Sequence, residues 1–271
     1  MLPTEQRNPK TTHIDKASTL EILQMIHAEN QRSVDAVGEA LPMIEAAVNA
    51  VTAALRDGGR LIYVGAGTSG RLAAVDASEC PPTFGVDYEL VSAVMAGGTN
   101  AFFRAAENQE DAGAAGVQAM HDKHLQSCDV VMGISASGNA DFILEALKYA
   151  KSVGCTVLSL SSNPDAKIGK VADFPIFTDT GAEVITGSTR MKAGNAQKMV
   201  LNMISTAAMI QTGKVYENMM INLRPTNKKL RERMITIVCD ITGVDRTKAE
   251  ALLQDSGFSI PAAVERYNGQ T

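Results

Sequence analysis

The sequence predicts an α/β protein: a doubly wound, mainly parallel five-stranded sheet flanked by helices, with N-terminal helices and a C-terminal helical extension. Short β-branched apolar runs with little polar alternation are typical of strands covered on both faces, and they recur at residues 60–64, 90–95, 129–134, 155–160 and 174–178. Helical segments separate them, at about residues 70–79, 99–120 and 139–152. The chain has 271 residues, 45% of them hydrophobic, enough for one large α/β domain with appendages.

The N-terminal part is predicted to be an arm followed by two helices. Residues 1–17 are expected to be extended, and Ser18 with Glu21 predicts a capping box that opens the first helix. The apolar face of this helix is predicted from Leu20, Ile22, Leu23 and Ile26. A second helix is predicted from about Met43 to Leu55, where two glycines follow.

The C-terminal part departs from the strand–helix alternation. The residues that follow position 186 predict one long helix that ends at Gly213, and the tail from residue 226 is helical and more charged. We therefore expect an N-terminal arm and helix over residues 1–47, a central α/β domain over 48–223 and a C-terminal helical segment over 224–271.

Composition and charge argue against several classes of partner. A formal net charge of −5, only 4% aromatic residues and the lack of a long basic run argue against nucleic acid and anionic membranes. No signal peptide is visible in the sequence, and the four cysteines form no CxxC pair, so we expect reduced thiols in the cytoplasm. His121 and His124 are interpreted as surface histidines, and no metal site is predicted.

A glycine-rich turn follows the first predicted strand, in the sequence GAGTSGR at residues 65–71. The turn nearly matches a P-loop, but Arg71 and Leu72 stand where that motif needs lysine and a hydroxyl residue for phosphate and magnesium. A dinucleotide-binding site matches this turn better than a P-loop does, since Asp87 or Glu89 could bind a ribose. The two hydroxyl residues suggest side-chain donors as well as backbone N–H groups, which leaves a phosphate monoester as a further possibility.

A second turn of the same kind follows the third predicted strand, in the sequence SASGNA at residues 135–140. The carboxyl ends of parallel strands meet at one edge of a sheet, so both turns can converge there. Helix N-termini, backbone N–H groups and hydroxyls would then bind a phosphate monoester together. The predicted binding residues are Gly67, Thr68, Ser69, Arg71, Ser135, Ser137, Gly138 and Asn139.

A third segment combines hydroxyls and cations at a predicted helix start. Ser188, Thr189, Arg190 and Lys192 would suit a phosphate or a carboxylate. A capped helix with exposed cations accounts for the same residues nearly as well.

The paired turns resemble the sugar isomerase (SIS) domain, which binds phosphosugars. Within that class, the stretches at residues 59–86, 183–210 and 213–223 resemble the N-acetylmuramic acid 6-phosphate etherase family, and the run DASECPP at 76–82 is the most specific part. The resemblance implies a cytoplasmic homodimeric lyase, without a cofactor, whose site lies near the subunit interface. Its substrate would be a phosphorylated amino sugar, converted with water into N-acetylglucosamine 6-phosphate and D-lactate.

The resemblance also implies two catalytic carboxyl groups. Glu79 matches the family's proton donor, and Glu110 matches a second acid/base, to which we assign the C2 proton. Pro81 and Pro82 are expected to end the preceding helix directly after Glu79. On residue pattern alone, the acidic cluster around Glu110 is typical of a solvated helix face.

Some residues depart from the family's pattern, and two other functions fit the same scaffold. Asn139 and Ala140 stand where the family has a cation and a threonine, and Asn195 replaces another threonine, so contacts to phosphate or sugar are expected to differ. A non-catalytic phosphosugar-binding regulator would need neither glutamate. A phosphosugar isomerase would remove a C2 proton but would have no leaving group to protonate.

Overall fold

A five-stranded parallel sheet forms the centre of the structure, a computed structural model that describes residues 2–104, 108–223, 225 and 227–269. Its strands are β1 (Leu61–Gly65), β2 (Val91–Met95), β3 (Val130–Ile134), β4 (Thr156–Ser161) and β5 (Phe174–Phe177). The strand order is β2-β1-β3-β4-β5. The predicted fold class is confirmed, and each strand lies within two residues of its predicted limits.

The order of the strands creates a switch point beside β1. The chain leaves β1 for β2 on one side and then crosses to β3 on the other side, so that Gly65 pairs with both Met95 and Ile134. Connections that leave a sheet in opposite directions open a crevice at the carboxyl edge, where ligands bind in folds of this type.

Helices flank the sheet: α1 (Thr19–Glu39), α2 (Leu41–Arg56), α3 (Gly67–Phe84), α4 (Gly113–Asp122), α5 (Asp141–Val153), α6 (Lys167–Val171) and α7 (Lys192–Gln211). Helix α5 packs on β1, β3 and β4, and α2 contacts β3 and β5. The core between α5 and the sheet includes fully buried Ile62, Val131 and Leu147. Burial of such side chains supplies most of the free energy that favours folding.

The start of α1 confirms the predicted capping box. The Ser18 hydroxyl accepts a hydrogen bond from the backbone N–H of Glu21, and the Glu21 carboxylate accepts one from the backbone N–H of Ser18. The predicted apolar face is only partly right, since Leu20 and Leu23 are 64% and 58% exposed. The arm before α1 is not extended but forms short 3-10 turns at Pro3–Glu5, Pro9–Thr11 and Ile14–Lys16. Two of these turns begin at proline, whose fixed φ suits the first turn of a helix.

The predicted helix over residues 99–120 is wrong in its first half. Residues Thr99–Phe102 and Gln109–Asp111 form 3-10 turns, and only α4 is an α-helix. The prediction also covers residues 105–107, which lie outside the described residues. Asn108 adopts a left-handed φ of 62°, which a continuous α-helix cannot accommodate.

The expected helix end at Pro81 and Pro82 is also wrong, because α3 continues through both prolines to Phe84. The helix ends at Gly85 instead, whose φ is +67° and whose N–H donates to the Pro81 carbonyl over 2.9 Å. A left-handed glycine after the last turn is a common helix terminator. A Cβ at this position would lie 1.9 Å from the Asn222 carbonyl oxygen, so only glycine fits.

The long helix predicted from about residue 187 begins later, at Lys192. The residues before it form turns, in which the N–H of Ser188 donates to the Ile185 carbonyl and that of Met191 donates to the Ser188 carbonyl. The Glu183 carboxylate accepts hydrogen bonds from the first two N–H groups of α7, at 3.0 and 2.9 Å. A carboxylate favours a helix N-terminus because it satisfies free donors and complements the helix dipole.

The chain forms two compact units, one of Met1–Ala77 with Glu89–Ala208 and the other of Ser78–Tyr88 with Met209–Thr271. The second unit contains the hairpin of β6 (Val215–Tyr216) and β7 (Met219–Met220), followed by α8 (Lys228–Thr242), α9 (Arg246–Asp255) and α10 (Ile260–Asn268). Its own core includes buried Met234, Leu253 and Ile260. The domain limits inferred from the sequence stay a prediction. Among the described helices, none combines the length and apolar character needed to cross a bilayer.

Candidate active site

The first turn, after β1, is built by a close approach of strand and helix. Gly70 lies in the first turn of α3, where a Cβ would come within 2.9 Å of both the Gly65 carbonyl oxygen and the Met95 side chain. Glycine at this position lets α3 begin directly at the strand end, with exposed Gly67, half-buried Thr68 and buried Ser69 in its first turn. The free N–H groups and positive dipole end of α3 therefore lie at the carboxyl edge of the sheet.

The second turn, after β3, is held by its own hydroxyl groups. The Ser135 hydroxyl accepts a hydrogen bond from the Gly138 N–H over 3.0 Å, and the Ser137 hydroxyl accepts one from the Asn139 N–H over 3.4 Å. Gly138 has a φ of +71°, and a Cβ there would lie 2.2 Å from the Ala166 Cβ. The two hydroxyls also lie 3.4 Å apart, so that one donates a hydrogen bond to the other and one proton is left to donate elsewhere. The turn is therefore held by its own hydrogen bonds.

The two turns lie at the ends of neighbouring strands, since Gly65 of β1 pairs with Ile134 of β3. The turns therefore flank the switch point, where an anion would meet two helix N-termini. The third predicted segment meets the first turn at Gly194 of α7, where a Cβ would lie 3.3 Å from the Thr189 carbonyl oxygen and 3.6 Å from the Thr68 Cγ2. Ser188 and Thr189 in that segment are half-buried, and Arg190 is exposed.

Arg71, one of the predicted binding cations, contacts protein carbonyls. Its guanidinium donates hydrogen bonds to the carbonyls of Ala101 and Phe102, at 2.7 and 2.9 Å, and a longer one to that of Arg104. Arg71 thus ties the residues after β2 to the first turn of α3. Its predicted contact with a substrate stays a prediction and is not part of the site proposed below.

Lys192, the other predicted cation at this edge, belongs to a buried charge cluster, which we define as Asn8, Glu29, Glu183 and Lys192. The Lys192 Nζ lies 2.6 Å from Glu29 Oε2, and both side chains are at least 93% buried. Asn8 donates a hydrogen bond to the same oxygen over 2.7 Å, and exposed Lys10 reaches the other carboxylate oxygen at 3.1 Å. Because Lys192 is buried and paired, its prediction as a substrate-binding residue has no support in its contacts.

The two acids of the buried charge cluster have opposite pKa shifts. Burial raises the pKa of Glu29, but hydrogen bonds from Lys192, Asn8 and Lys10 outweigh burial and lower it to about 2. Burial dominates for Glu183 and raises its pKa, although the N–H groups of Ala193 and Lys192 oppose that effect. Sequence reasoning missed both acids. The available signal was the position of Glu29 on the face of α1 that also carries buried Ser33 and Ala36.

The two carboxylates implied by the family resemblance lie in different compact units. Glu79 is an exposed residue of α3 in the second unit, and Glu110 is an exposed residue of the 3-10 turn Gln109–Asp111 in the first unit. Neither belongs to a cluster of three or more metal-binding side chains, and no such cluster occurs among the described residues. Exposure leaves both carboxylates accessible to a ligand from solvent.

Comparison with known proteins identifies the family. Residues 98–207 match the model of the SIS domain, and residues 43–151 match that of the glucokinase regulatory protein N-terminal SIS domain. The chain resembles phosphoheptose isomerase from Francisella tularensis with a TM-score of 0.52 and 19% identity, over 73% of this chain and 100% of that chain, which supports the fold alone.

Much closer similarity is found to two curated proteins. N-acetylmuramic acid 6-phosphate etherase from Oceanobacillus iheyensis is 49% identical over 97% of this chain and 90% of its own length. N-acetylmuramic acid 6-phosphate etherase 2 from Vibrio parahaemolyticus is 50% identical over 93% of this chain and 84% of its own length. With identity of this level over nearly the whole chain, the protein belongs to the N-acetylmuramic acid 6-phosphate etherase family of SIS-domain proteins.

Proposed function

We propose that the protein cleaves the D-lactyl ether of N-acetylmuramic acid 6-phosphate and releases N-acetylglucosamine 6-phosphate and D-lactate. The observation that carries the proposal is the 49% identity to an etherase over 97% of the chain. The preformed turns at the switch point support it, because hydroxyls and helix N-termini are suited to a phosphate monoester. The net charge of −5 requires that such an anion be held by local geometry.

The two turns supply phosphate binding in this proposal. The donors are the hydroxyls of Thr68, Ser69, Ser135 and Ser137, together with backbone N–H groups at the start of α3. Ser188 and Thr189, in the segment that lies beside Thr68, add hydroxyls at the same edge. Phosphate binding would leave the sugar carbons free for chemistry by carboxyl groups.

The reaction proceeds by elimination followed by addition of water. In the open-chain sugar, the C1 aldehyde acidifies the C2 proton, which we assign to Glu110 as base. The C3–O bond breaks, Glu79 protonates the departing lactate oxygen, and a C2–C3 double bond forms. Water then adds its hydroxyl to C3 and a proton returns to C2, which gives the product sugar. General acid–base catalysis of this kind typically contributes about 10²–10⁴-fold to a rate.

A D-lactate assay tests the proposed function. The purified protein, incubated with N-acetylmuramic acid 6-phosphate, is expected to release one D-lactate for each N-acetylglucosamine 6-phosphate formed. The control is N-acetylglucosamine 6-phosphate alone, from which no lactate can arise. Binding of the substrate without lactate release would identify a regulator, and interconversion of aldose and ketose phosphates would identify an isomerase.

We also propose a homodimer in which α1 forms part of the interface. Leu20, Leu23 and Val34 are all more than half exposed and lie on one side of α1, two of them in its first turns and the third about three turns later. Sedimentation equilibrium is expected to give twice the chain mass of 28.7 kDa, and Leu23→Glu is expected to shift the protein toward the monomer. A monomeric wild type at micromolar concentration would contradict this proposal.

We infer a cytoplasmic location from cysteine chemistry. None of the four described cysteines, Cys80, Cys128, Cys155 and Cys239, forms a disulfide, which suits a reducing compartment. Recovery of the native protein in a periplasmic or secreted fraction would contradict this inference.

A further inference from the structure

A cavity of about 510 Å³ opens at the carboxyl end of β2 in the first compact unit. Its walls are mainly apolar and come from β2, the residues that follow it, α4 and the start of α5. They include Val94, Met95, Phe102, Ala115, Ala119 and Phe142. This volume lies within the range of small-molecule pockets, roughly 300–1,000 Å³.

The polar side chains in the described cavity wall are few and uncharged. Thr99 and Gln109 supply a hydroxyl and a carboxamide, and none of the described lining residues carries a charge. A carboxamide both donates and accepts hydrogen bonds, as does an amide group of a ligand. The lining therefore suits a small acylamino group and disfavours a charged group, which would lose its hydration in the cavity.

The cavity adjoins both the phosphate-binding turn and the proposed base. Arg71, which directly follows the first turn of α3, donates hydrogen bonds to the carbonyls of Ala101 and of Phe102, the latter a lining residue of the cavity. Gln109, a lining residue, directly precedes Glu110 in the same 3-10 turn.

We propose that this cavity binds the N-acyl group on C2 of the sugar, an inference that rests on the proposed function. A base that removes the C2 proton must lie at C2, and the acylamino group is bonded to that same carbon. The cavity is lined by Gln109, the residue before Glu110, and is therefore placed to receive that substituent. An acetyl group has only three non-hydrogen atoms and fills a small part of the volume, so longer N-acyl groups fit as well.

Binding measurements test the proposal without requiring turnover. By calorimetry, wild type is expected to bind N-acetyl- and N-propionylglucosamine 6-phosphate with dissociation constants within about fourfold of each other, since one buried methylene has a small effect. Glucosamine 6-phosphate, which would place an ammonium in the cavity, is expected to bind at least about tenfold more weakly.

Two matched variants on α4 test whether the N-acyl group of the ligand binds in this cavity. Ala115→Leu adds three carbons to the cavity wall and narrows the cavity, and it is expected to weaken binding of the N-propionyl ligand about tenfold relative to wild type, with little change for glucosamine 6-phosphate. Ala114→Leu makes the same change at the adjacent exposed residue, which does not line the cavity, and is expected to match wild type. Ala119→Val offers a second, smaller obstruction if Ala115→Leu folds poorly.

Equal effects of the two leucine variants on every ligand would overturn the proposal, as would wild-type binding of the N-propionyl ligand as weak as that of glucosamine 6-phosphate. These outcomes are independent of the lactate assay. The expected binding pattern without lactate release would remove the proposed reaction and retain the cavity's role. Lactate release without the pattern would retain the reaction and remove the cavity's role.

Discussion

Two regions of the first compact unit use polar groups in opposite ways. In the buried charge cluster, Lys192 and Glu29 are almost fully buried and satisfy each other at 2.6 Å. At the carboxyl edge, Thr68 of the first turn and Ser137 of the second are half-buried, and Glu110 is exposed. The first region connects the N-terminal arm, α1 and the start of α7, whereas the second has groups that remain available to a ligand.

The difference teaches that a perturbed acid does not by itself mark a catalytic site. Glu29 and Glu183 have clearly shifted pKa values, yet their contacts are with structural partners. Strongly shifted pKa values are common at active sites, but they also arise in structural ion-pair networks. The assignment of chemistry to Glu79 and Glu110 rests on the family resemblance and on what the reaction requires.

The largest expected effect is on catalysis. Its absence would contradict the contrast between the exposed acids, to which the reaction is assigned, and the buried charge cluster. Glu110→Gln and Glu79→Gln are each expected to lower D-lactate release about 10²–10⁴-fold, because each removes one proton-transfer group. Both residues are exposed, so the melting temperature is expected to stay near that of wild type.

Solvent exchange separates the roles of the two acids. In D₂O, Glu79→Gln is expected to retain exchange of the substrate's C2 proton, whereas Glu110→Gln is expected to lose it. Asp111→Asn, at the exposed neighbour of Glu110, serves as the control and is expected to resemble wild type. Full activity of Glu110→Gln would contradict the assigned base.

The next largest effect is on stability and concerns the buried charge cluster. Lys192→Met leaves Glu29 buried without its main partner and is expected to lower the free energy of unfolding by about 3–5 kcal/mol. Lys10→Met removes the exposed partner of the same carboxylate, 79% exposed, and is expected to cost less than about 1 kcal/mol. Urea unfolding measures both, and equal losses would show that burial does not distinguish the two lysines.

The smallest expected effect is on the pH dependence of the free energy of unfolding, and it tests the structural role of the buried charge cluster. Because the pKa of Glu29 falls from 4.5 to about 2 on folding, its stabilising contribution is complete above about pH 4.5 and is lost as the pH falls toward 2. Glu29→Gln is therefore expected to be less stable than wild type at pH 7 and to lose less stability over that window.

Urea unfolding at pH 7, 4.5 and 3 gives the required comparison. Glu45→Gln, at an exposed acid of α2, is the control and is expected to follow wild type at each pH. Parallel pH profiles for wild type and Glu29→Gln would contradict the role assigned to the Glu29 carboxylate.

Local patterns in the sequence predicted most of the fold. The strands are apolar because both faces are covered, and this property is encoded within each strand, so all five were located. The two turns were also visible, because glycines and hydroxyl residues that directly follow a buried strand are typical of a turn into a helix N-terminus. The capping box at Ser18 needs only residues within one turn of the helix.

The remaining features depend on partners distant in the chain. Lys192 resembles a free cation at a helix start, and only the fold brings it to Glu29, 163 residues earlier. Arg71 likewise contacts carbonyls 30 and 31 residues later. The continuation of α3 through two prolines was missed because proline weakens a helix locally, whereas Gly85 determines where this helix ends.

The separation between Glu29 and Lys192 has a consequence for protein synthesis. The ribosome adds Lys192, which neutralises the buried carboxylate of Glu29, 163 residues after Glu29 itself, and that stretch takes about 10–30 seconds at ordinary elongation rates. The N-terminal arm also depends on residues that are synthesised much later, because the side chains of Thr11 and Asn8 donate hydrogen bonds to the carbonyls of Val184 and Ala182. A nascent chain thus completes its five central strands before its own beginning can be attached.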